Sequence, residues 1–352
     1  MKLNKKSKDN YITYAIVMVA YLIFQILSAT GNLSSHMTGL LVPMTYYAVI
    51  AVALNLCVGI LGELSIGHCG FMCIGAFSSA FFSKLTENVL AWPIRFFLAF
   101  VIGIAFAALF GFLIGIPVLR LKGDYLAIVT LAFGEIIKNV INAFYIGVDG
   151  NGVHFSMKNS MELNMEPDGN LIINGAMGIT GTPHNSNFTI GIIVLLLSLF
   201  VVQNLINSRD GRAIMAVRDN YIAAEATGIN VTRYKMMAFV LSAAIAGAAG
   251  VLFSHNITTL TASSQYFGYN ASIMILVYVV LGGIGNIRGS VIAACVLYLL
   301  PELLRGFSTY RMLIYSIVLI VMMIVNWSPR VIEKREKLAA KIGFGSRKKI
   351  AR

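Results

Sequence analysis

The chain has 352 residues, of which 58% are apolar and only 12% are charged. Soluble globular proteins average about 45–50% apolar and about 25% charged residues. The composition therefore excludes a compact soluble domain, a disordered chain, a collagen-like repeat and a disulfide scaffold. It is typical of a protein with many membrane-spanning segments.

The net charge of +12 is concentrated in three basic segments. Residues 1–10, 207–235 and 329–352 carry net charges of +3, +2 and +7, and the rest of the chain is balanced. Lys and Arg next to apolar segments favour the cytoplasmic side of a membrane, and they attract anionic lipid headgroups. We therefore expect membrane lipids, and no nucleic acid, to contact these segments.

A helix needs about 20 mainly apolar residues to span a bilayer. Such segments predict an all-α, polytopic transmembrane bundle of about ten spans, with a range of eight to ten. The first apolar segment is interpreted as an uncleaved helix, because no small-residue cleavage site follows it. The predicted spans are 11–30, 39–60, 65–84, 94–118, 124–145, 188–206, 236–256, 271–286, 290–304 and 311–327.

The charge distribution predicts the topology and the organisation of the chain. With ten spans, the basic tails 1–10 and 328–352 both lie in the cytoplasm, on either side of a transmembrane permease domain, 11–327. Segment 207–235 is then a cytoplasmic loop. Segment 146–187, rich in Asn and Gly, is then external, as a partly ordered cap or a plain surface loop.

Several chemistries have no support in the sequence. It contains no G-x-x-x-x-G-K-[ST] phosphate loop and no catalytic triad or paired-carboxylate motif in a soluble context. Cys57, Cys69, Cys73 and Cys295 have neither disulfide-framework nor zinc-site spacing. We expect no enzymatic activity in this chain, no catalytic residues, no metal and no cofactor.

Two glycine-rich stretches, 59–71 and 282–289, interrupt the apolar pattern. Glycine weakens a helix, and broken helices in membranes occur where protein or water satisfies the freed backbone groups. Transporters place such breaks near their substrate sites. Close helix packing is the alternative interpretation. Under the first interpretation, the pathway candidates in 59–71 are Glu63, Ser65, Gly67 and His68.

A third segment, 121–138, places ionisable residues within a predicted span. Glu135 and Lys138 are three residues apart, so they can form an ion pair on one helix. Ionisable groups at membrane depth usually face the bundle interior or water. Glu135 and Thr130 are therefore also candidates for the translocation pathway, and the two interpretations remain open.

The cytoplasmic loop predicts two short amphipathic helices in 208–230. An apolar stripe repeats at helical spacing, Asp219 is the expected cap of the second helix and Gly228 its expected end. Such a stripe favours docking into a groove of a partner protein over lying flat on a membrane. The stripe consists of Ile214, Val217, Tyr221 and Ala224.

These segments together resemble the permease subunits of branched-chain amino-acid ABC importers, specifically the LivM type. The resemblance covers about residues 40–305. The matching blocks are Gly-Glu-Leu-Ser-Ile-Gly-His at 62–68, Leu-Lys-Gly-Asp-Tyr-Leu-Ala-Ile-Val-Thr-Leu-Ala-Phe-Gly-Glu-Ile at 121–136, the Gly-Arg-Ala…Arg-Asp-Asn…Ala-Ala-Glu…Gly-Ile-Asn loop at 211–230, and Gly-Gly-Ile-Gly at 282–285 with Pro-Glu-Leu-Leu at 301–304.

The resemblance implies a cytoplasmic-membrane subunit of an ATP-dependent importer of Leu, Ile and Val. The implied partners are a second homologous permease, two ATPase subunits that hydrolyse ATP, and an extracytoplasmic amino-acid binding protein. Segment 208–230 would be the loop that couples the ATPases to the spans. Its implied coupling residues are Arg209, Gly211, Arg212, Ala213, Arg218, Asn220, Ala224, Glu225 and Gly228.

Two positions depart from the family pattern. Many relatives have Gln in place of Glu63, and Glu225-Ala226-Thr227-Gly228 is a loose version of the family's Glu-Ala-Ala…Gly. The alternatives are a permease of the same family for urea, short amides or another small solute, a stand-alone secondary transporter, and a membrane scaffold without transport activity.

Overall fold

The structure is a computed structural model that describes residues 5–327 except 32–33, 88, 122, 151 and 166–168. The chain divides into two compact units, residues 1–295 and residues 296–352. The described part is mostly helical. Its helices are α1 (Lys5–Ala29), α2 (Ser35–Asn55), α3 (His68–Leu85), α4 (Trp92–Val118), α5 (Asp124–Asn142), α6 (Phe188–Asn207), α7 (Arg209–Asp219), α8 (Tyr221–Ala226), α9 (Val231–Ser254), α10 (Ser264–Phe267), α11 (Tyr269–Gly282), α12 (Ile287–Leu303) and α13 (Arg311–Trp327).

Seven stretches of helix in the described residues are long and apolar enough to cross a membrane, which fits the predicted polytopic bundle. Three further predicted spans, 65–84, 124–145 and 311–327, coincide with α3, α5 and α13, which are not among the seven. The number of spans stays a prediction. The seven are Tyr11–Ala29, Ser35–Leu61, Trp92–Val118, Phe188–Asn207, Val231–Ser254, Ser264–Gly282 and Ile287–Gly306.

Helix α9 is the centre of the first unit, and α2, α3 and α4 pack around it. Helix α4 presents small residues to this contact, and these are buried while its other faces expose large apolar side chains. Small residues let helix backbones approach closely. A Cβ on Gly75 of α3, for example, would overlap the carbonyl oxygen of Gly247 on α9. The small residues of α4 are Ala99, Gly103, Ala107, Gly111 and Gly115.

Helix α9 has 24 residues, or a length of about 36 Å at 1.5 Å per residue, and it separates two ends of the first unit. At its start, here called the loop end, it packs against α7 and α8. Beyond its last residue, at the strand end, the backbone N–H of Ser186 donates to the carbonyl of His255 over 3.1 Å.

The segment predicted as the external loop 146–187 contains β-structure that the all-α prediction omitted. Three antiparallel strands lie in the order β2-β1-β3, and a two-stranded pair follows. The sequence does contain a hairpin signal, a Gly-Asn pair at 150–151 between the two strand segments, which is typical of a tight two-residue connection. The strands are β1 (Tyr145–Asp149), β2 (Gly152–Ser156), β3 (Asn170–Asn174), β4 (Ile179–Thr180) and β5 (Thr259–Leu260).

The division into two tails and a permease domain stays a prediction. Helix α1 begins at Lys5, so residues 5–10 of the predicted N-terminal tail are helical. Residues 1–4 and the whole predicted C-terminal tail, 328–352, lie outside the described residues.

Candidate functional site

The first glycine-rich stretch is a true break between two helices, as the sequence predicted. Helix α2 ends in a π-helical turn, Leu56–Leu61, and Gly62 then adopts a left-handed backbone with φ of 82°. The next residues are not helical until α3 begins at His68. Because a left-handed residue favours glycine, Gly62 fixes the point at which the helix stops.

A chain of buried hydrogen bonds holds this break against α9. Ser242 donates to the carbonyl of Ala53 over 2.6 Å, so its oxygen accepts from Nε2 of His68 at 2.7 Å. Nδ1 of His68 then carries the lone pair and accepts from Ser65 at 3.0 Å. His68 and Ser65 are 1% and 0% exposed. These two pathway candidates therefore have partners within this chain, and their pathway role stays a prediction.

Helix α5 also contacts the residues of the break. Oγ1 of Thr130 accepts from the backbone N–H of Ile66 at 3.1 Å. A Cβ on Gly67 would overlap the carbonyl oxygen of Thr130. Gly67 and Thr130 are both buried, so glycine at 67 permits a backbone contact between the break and α5.

The second glycine-rich stretch lies directly against the first. Gly283 and Gly285, between α11 and α12, have φ of 96° and 78°. The side chain of Asn55, fully buried at the end of α2, accepts from the N–H of Gly285 at 2.9 Å and donates to Ser290 over 2.6 Å. Sequence reasoning missed Asn55, although an amide side chain within an apolar run is the signal that could have found it.

Helices α7 and α8 of the 207–235 segment are the two short helices that the sequence predicted. Ser208 caps α7 by accepting from the N–H of Gly211 at 3.0 Å. The predicted cap of α8, Asp219, is wrong: Asn220 accepts from the N–H groups of residues 222 and 223, both at 3.0 Å. Asp219 is instead the last residue of α7.

The predicted end of α8 is confirmed at Gly228. This residue has φ of 86°, and its N–H donates to Glu225 over 2.9 Å while that of Ile229 donates to Ala224 over 3.1 Å. This pair of bonds satisfies the last carbonyl groups of the helix. Gly228 therefore sets the turn from α8 toward α9.

The expectation that the apolar stripe of this loop waits for a partner groove is wrong for three of its four members. Ile214, Val217 and Ala224 are 0%, 3% and 4% exposed, because α7 and α8 pack on α6, α9 and the π-helical turn of the same chain. Tyr221 and its neighbour Ile222 are 39% and 63% exposed. The apolar surface left for a partner is therefore at the start of α8.

The outward surface of the loop consists of charged and small residues around that apolar point. Arg209 and Glu225 form no ion pair in the described residues, and Arg212 contacts only the carbonyl of Asn207, at 3.4 Å. Ala213 is half-buried. The exposed residues of 208–230 are Arg209, Asp210, Arg212, Arg218, Asp219, Asn220, Tyr221, Ile222, Ala223, Glu225, Ala226, Thr227, Gly228 and Asn230.

Arg218 links this loop to the broken helix. Its Nη1 donates to the carbonyl of Gly59 over 2.9 Å, and its Nε and Nη2 donate to Asp219 over 3.0 and 2.8 Å. A Cβ on Gly62 would overlap the aliphatic part of the Arg218 side chain. Gly62 thus leaves space for the side chain of Arg218, which donates a hydrogen bond to Gly59.

A second link joins the break to the start of α9. Nζ of Lys235 forms an ion pair with Glu63, and the two side chains are 14% and 13% exposed. The carboxylate of Glu63, where many relatives have Gln, therefore has a cationic partner in this chain. Arg218, near the end of α7, and Lys235, near the start of α9, therefore both hold the break.

The predicted pair of Glu135 and Lys138 on α5 is confirmed. Glu135 also accepts from the backbone N–H of Tyr269 at 2.8 Å, and Lys138 donates to Ser264 over 3.0 Å. The pair therefore connects α5 to α10 and α11. Its role in a pathway stays a prediction.

Glycine-broken helices held against one another, beside a separate polar loop, are here part of a polytopic membrane protein. The sequence model of one family, described as "Branched-chain amino acid transport system / permease component", matches residues 36–326. The chain belongs to this permease family and is an integral protein of the cytoplasmic membrane.

Individual relatives agree with this assignment. The chain is 34% identical to the high-affinity branched-chain amino acid transport system permease protein LivM of Salmonella typhimurium and to that of Escherichia coli, in each case over 81% of this chain and 67% of the relative. It is 30% identical to LivH of Escherichia coli over 40% of this chain and 49% of that protein. Comparison with solved structures gives no match.

Proposed function

We propose that this chain is the LivM-type permease subunit of an ATP-dependent importer of Leu, Ile and Val. Its family and its similarity to two permeases of one transport system support this function. The proposed partners are a second homologous permease, two ATPase subunits and an extracytoplasmic amino-acid binding protein. We also propose ten spans, with both termini and the loop end in the cytoplasm and the strand end outside.

The proposed coupling route begins at the exposed start of α8. Ile222 and Tyr221 contact an ATPase groove, and the charged residues around them align the loop. Because α7 and α8 are packed on their own chain, they move as part of the permease and not as a flexible tether. An apolar anchor surrounded by polar residues is a common arrangement at protein interfaces.

The route continues through Arg218, and the bond from Arg218 to the carbonyl of Gly59 is the single observation that carries it. A displacement of the loop pulls on the π-helical turn and on Gly62, where the backbone is already left-handed. The Lys235–Glu63 pair transmits the same displacement from the start of α9. The break is then the two-state element that nucleotide binding on the ATPases would bias.

The first test is the sidedness of the two ends. Ile222→Cys at the loop end and Met177→Cys at the strand end, both 63% exposed in the parent residue, are labelled in intact cells with a membrane-impermeant maleimide. Cys57, Cys69 and Cys73 are buried and Cys295 is half-buried. Labelling of the unmodified chain therefore gives the background, which is subtracted from the labelling of each added thiol. Only Met177→Cys should react before the cells are opened. Reaction of Ile222→Cys in intact cells would refute the cytoplasmic assignment.

The second test is co-purification from mild detergent. An ATPase and a second hydrophobic subunit should be recovered with the chain, and Ile222→Glu should lose the ATPase while retaining the second permease. Uptake by the purified single chain, driven by an ion gradient and insensitive to vanadate, would instead establish a secondary transporter. Competition of labelled leucine uptake by isoleucine and valine, but not by urea or short amides, tests the substrate.

A further inference from the structure

A cluster of buried polar side chains at the strand end has no role in the coupling route. Seven buried side-chain polar atoms in the described residues have no protein hydrogen-bond partner. Four of these atoms belong to residues that lie where α3, α4 and α9 meet the segment before α6. They are Ser83 Oγ, Arg95 Nε, Ser186 Oγ and His255 Nε2, and the four residues are 0%, 7%, 3% and 1% exposed.

Contacts between the elements bring these side chains into one region. Ser186 bonds to the backbone of His255, and the His255 ring is perpendicular to Phe96, the residue after Arg95, at 5.1 Å. On α3, Ser79 contacts Ser254 at 3.1 Å. Ser83 is one helical turn beyond Ser79 on the same face of α3, so it lies beside the His255 end of α9.

Arg95 gives the region its charge. Its Nη1 donates to the carbonyl of Glu87 over 3.1 Å, but it forms no ion pair in the part of the chain that the structure describes. The carboxylate of Glu87 pairs with Lys84 at 2.9 Å. A guanidinium stays protonated under all ordinary conditions, and a buried charge is costly unless it is paired. Within the residues that the structure describes, one positive charge is therefore left without a counter-charge.

His255 does not add to that charge. It follows the last residue of α9 and is 1% exposed, and burial near a cation keeps an imidazole ring neutral. Nδ1 is 3.0 Å from the carbonyl of Val251 and donates to it, so Nε2 of the neutral ring is a hydrogen-bond acceptor. A water molecule that hydrates an ion next to Arg95 could donate to that nitrogen.

The position of Arg95 on α4 indicates whether its counter-charge is a lipid phosphate or a small ion. Its neighbours Ile94 and Phe97 are 56% and 65% exposed on the outer faces of α4. Arg95 is instead in register with Ala99 and Gly103, which face α3 and α9. A lipid phosphate would approach the outer faces, whereas Arg95 lies on the buried face of α4.

We propose that Arg95, with the hydroxyls of Ser83 and Ser186, binds a small inorganic anion of the size of chloride at the strand end of the bundle. The anion neutralises the guanidinium and accepts from the hydroxyl groups. It thereby holds α3 and α4 to the segment that leads into α6. The site is separate from the loop end, so it stabilises the fold and takes no part in coupling to ATP.

The test uses the full-length chain, purified in mild detergent with the subunits that accompany it. At constant ionic strength, sodium chloride replaces sodium gluconate, and both the melting temperature and the binding of radioactive chloride are measured. The melting temperature should rise with the logarithm of chloride concentration above the dissociation constant, and one chloride should bind per chain. Equal melting temperatures in the two salts, without saturable chloride binding, would overturn the proposal.

Variants identify the site. Arg95→Met should lose chloride binding and the chloride-dependent rise in melting temperature. Arg120→Met removes the same charge from an exposed position after the other end of α4 and should behave as the unmodified chain. If Arg95→Met does not fold, Ser83→Val provides the second variant, with a weaker chloride response expected. A rise caused by an anionic lipid such as phosphatidylglycerol, but not by chloride, would refute the small-anion assignment.

Discussion

Arg218→Met isolates the link between the loop and the broken helix. Methionine retains an unbranched chain that can lie over Gly62, but it removes the bond to the carbonyl of Gly59. A hydrogen bond from a charged group contributes about 1.5–3 kcal/mol. Because the Arg218 side chain is 36% exposed, the lower value of about 1.5 kcal/mol applies. The pair with Asp219, itself 68% exposed, contributes at most about 1 kcal/mol.

A loss of about 1.5 kcal/mol corresponds to roughly a tenfold change in an equilibrium constant. In proteoliposomes that contain the complete importer, Arg218→Met should therefore reduce amino-acid uptake per ATP hydrolysed by about tenfold. Membrane insertion, assembly with the ATPase and its basal activity should not change. The charge-reversed variant Arg218→Glu should have a larger effect, because it places a carboxylate next to the Gly59 carbonyl and Asp219.

Arg212→Met is the matched control for the coupling ratio, since Arg212 is also on α7 but its only side-chain hydrogen bond in the described part of the chain is to a carbonyl at its own end of the loop. Its charge helps to align the loop on the ATPase, so the comparison is made on importers that have assembled. It should retain the coupling ratio of the unmodified importer. If Arg218→Met and Arg212→Met have the same ratio, the Arg218 bond does not transmit the motion. If Arg218→Met also loses the ATPase, its role is in docking instead.

Three further predictions test the packing and the polar contacts of the first unit. Gly75→Ala forces a methyl group onto the backbone of Gly247 and should destabilise the chain by about 1–3 kcal/mol. Gly39→Ala, within α2, meets open space and should stabilise the chain by about 0.5–1 kcal/mol, because glycine weakens a helix; thermal melting in detergent compares the two variants. Asn55→Leu leaves two buried groups without their partner and should cost about 2–5 kcal/mol, so an unchanged melting temperature would contradict that contact. Glu63→Ala leaves the largely buried Lys235 unpaired, whereas Glu63→Gln keeps a hydrogen-bond acceptor. Uptake should therefore fall more in the alanine variant. Equal uptake in the two variants would show that the pair is dispensable.

The sequence determined the class of the protein through features that act locally. Composition alone requires a membrane environment, because so many apolar side chains cannot be buried in one soluble core. Glycine spacing determined the break near Gly62 and the end of α8 at Gly228, since a left-handed backbone residue depends mainly on the residue itself. The ion pair of Glu135 and Lys138 was predictable for the same reason, because both residues are on one helix.

Only the tertiary structure decided which groups contact each other when they are far apart in the sequence. The apolar stripe of α7 and α8 packs on its own chain because α6 and α9 happen to supply a surface for it. Arg218 and Gly59 are 159 residues apart, and Asn55 and Ser290 are 235 residues apart. Periodicity reports which face of a helix is apolar, but a bond between helices depends on how they pack, and that is a property of the whole fold.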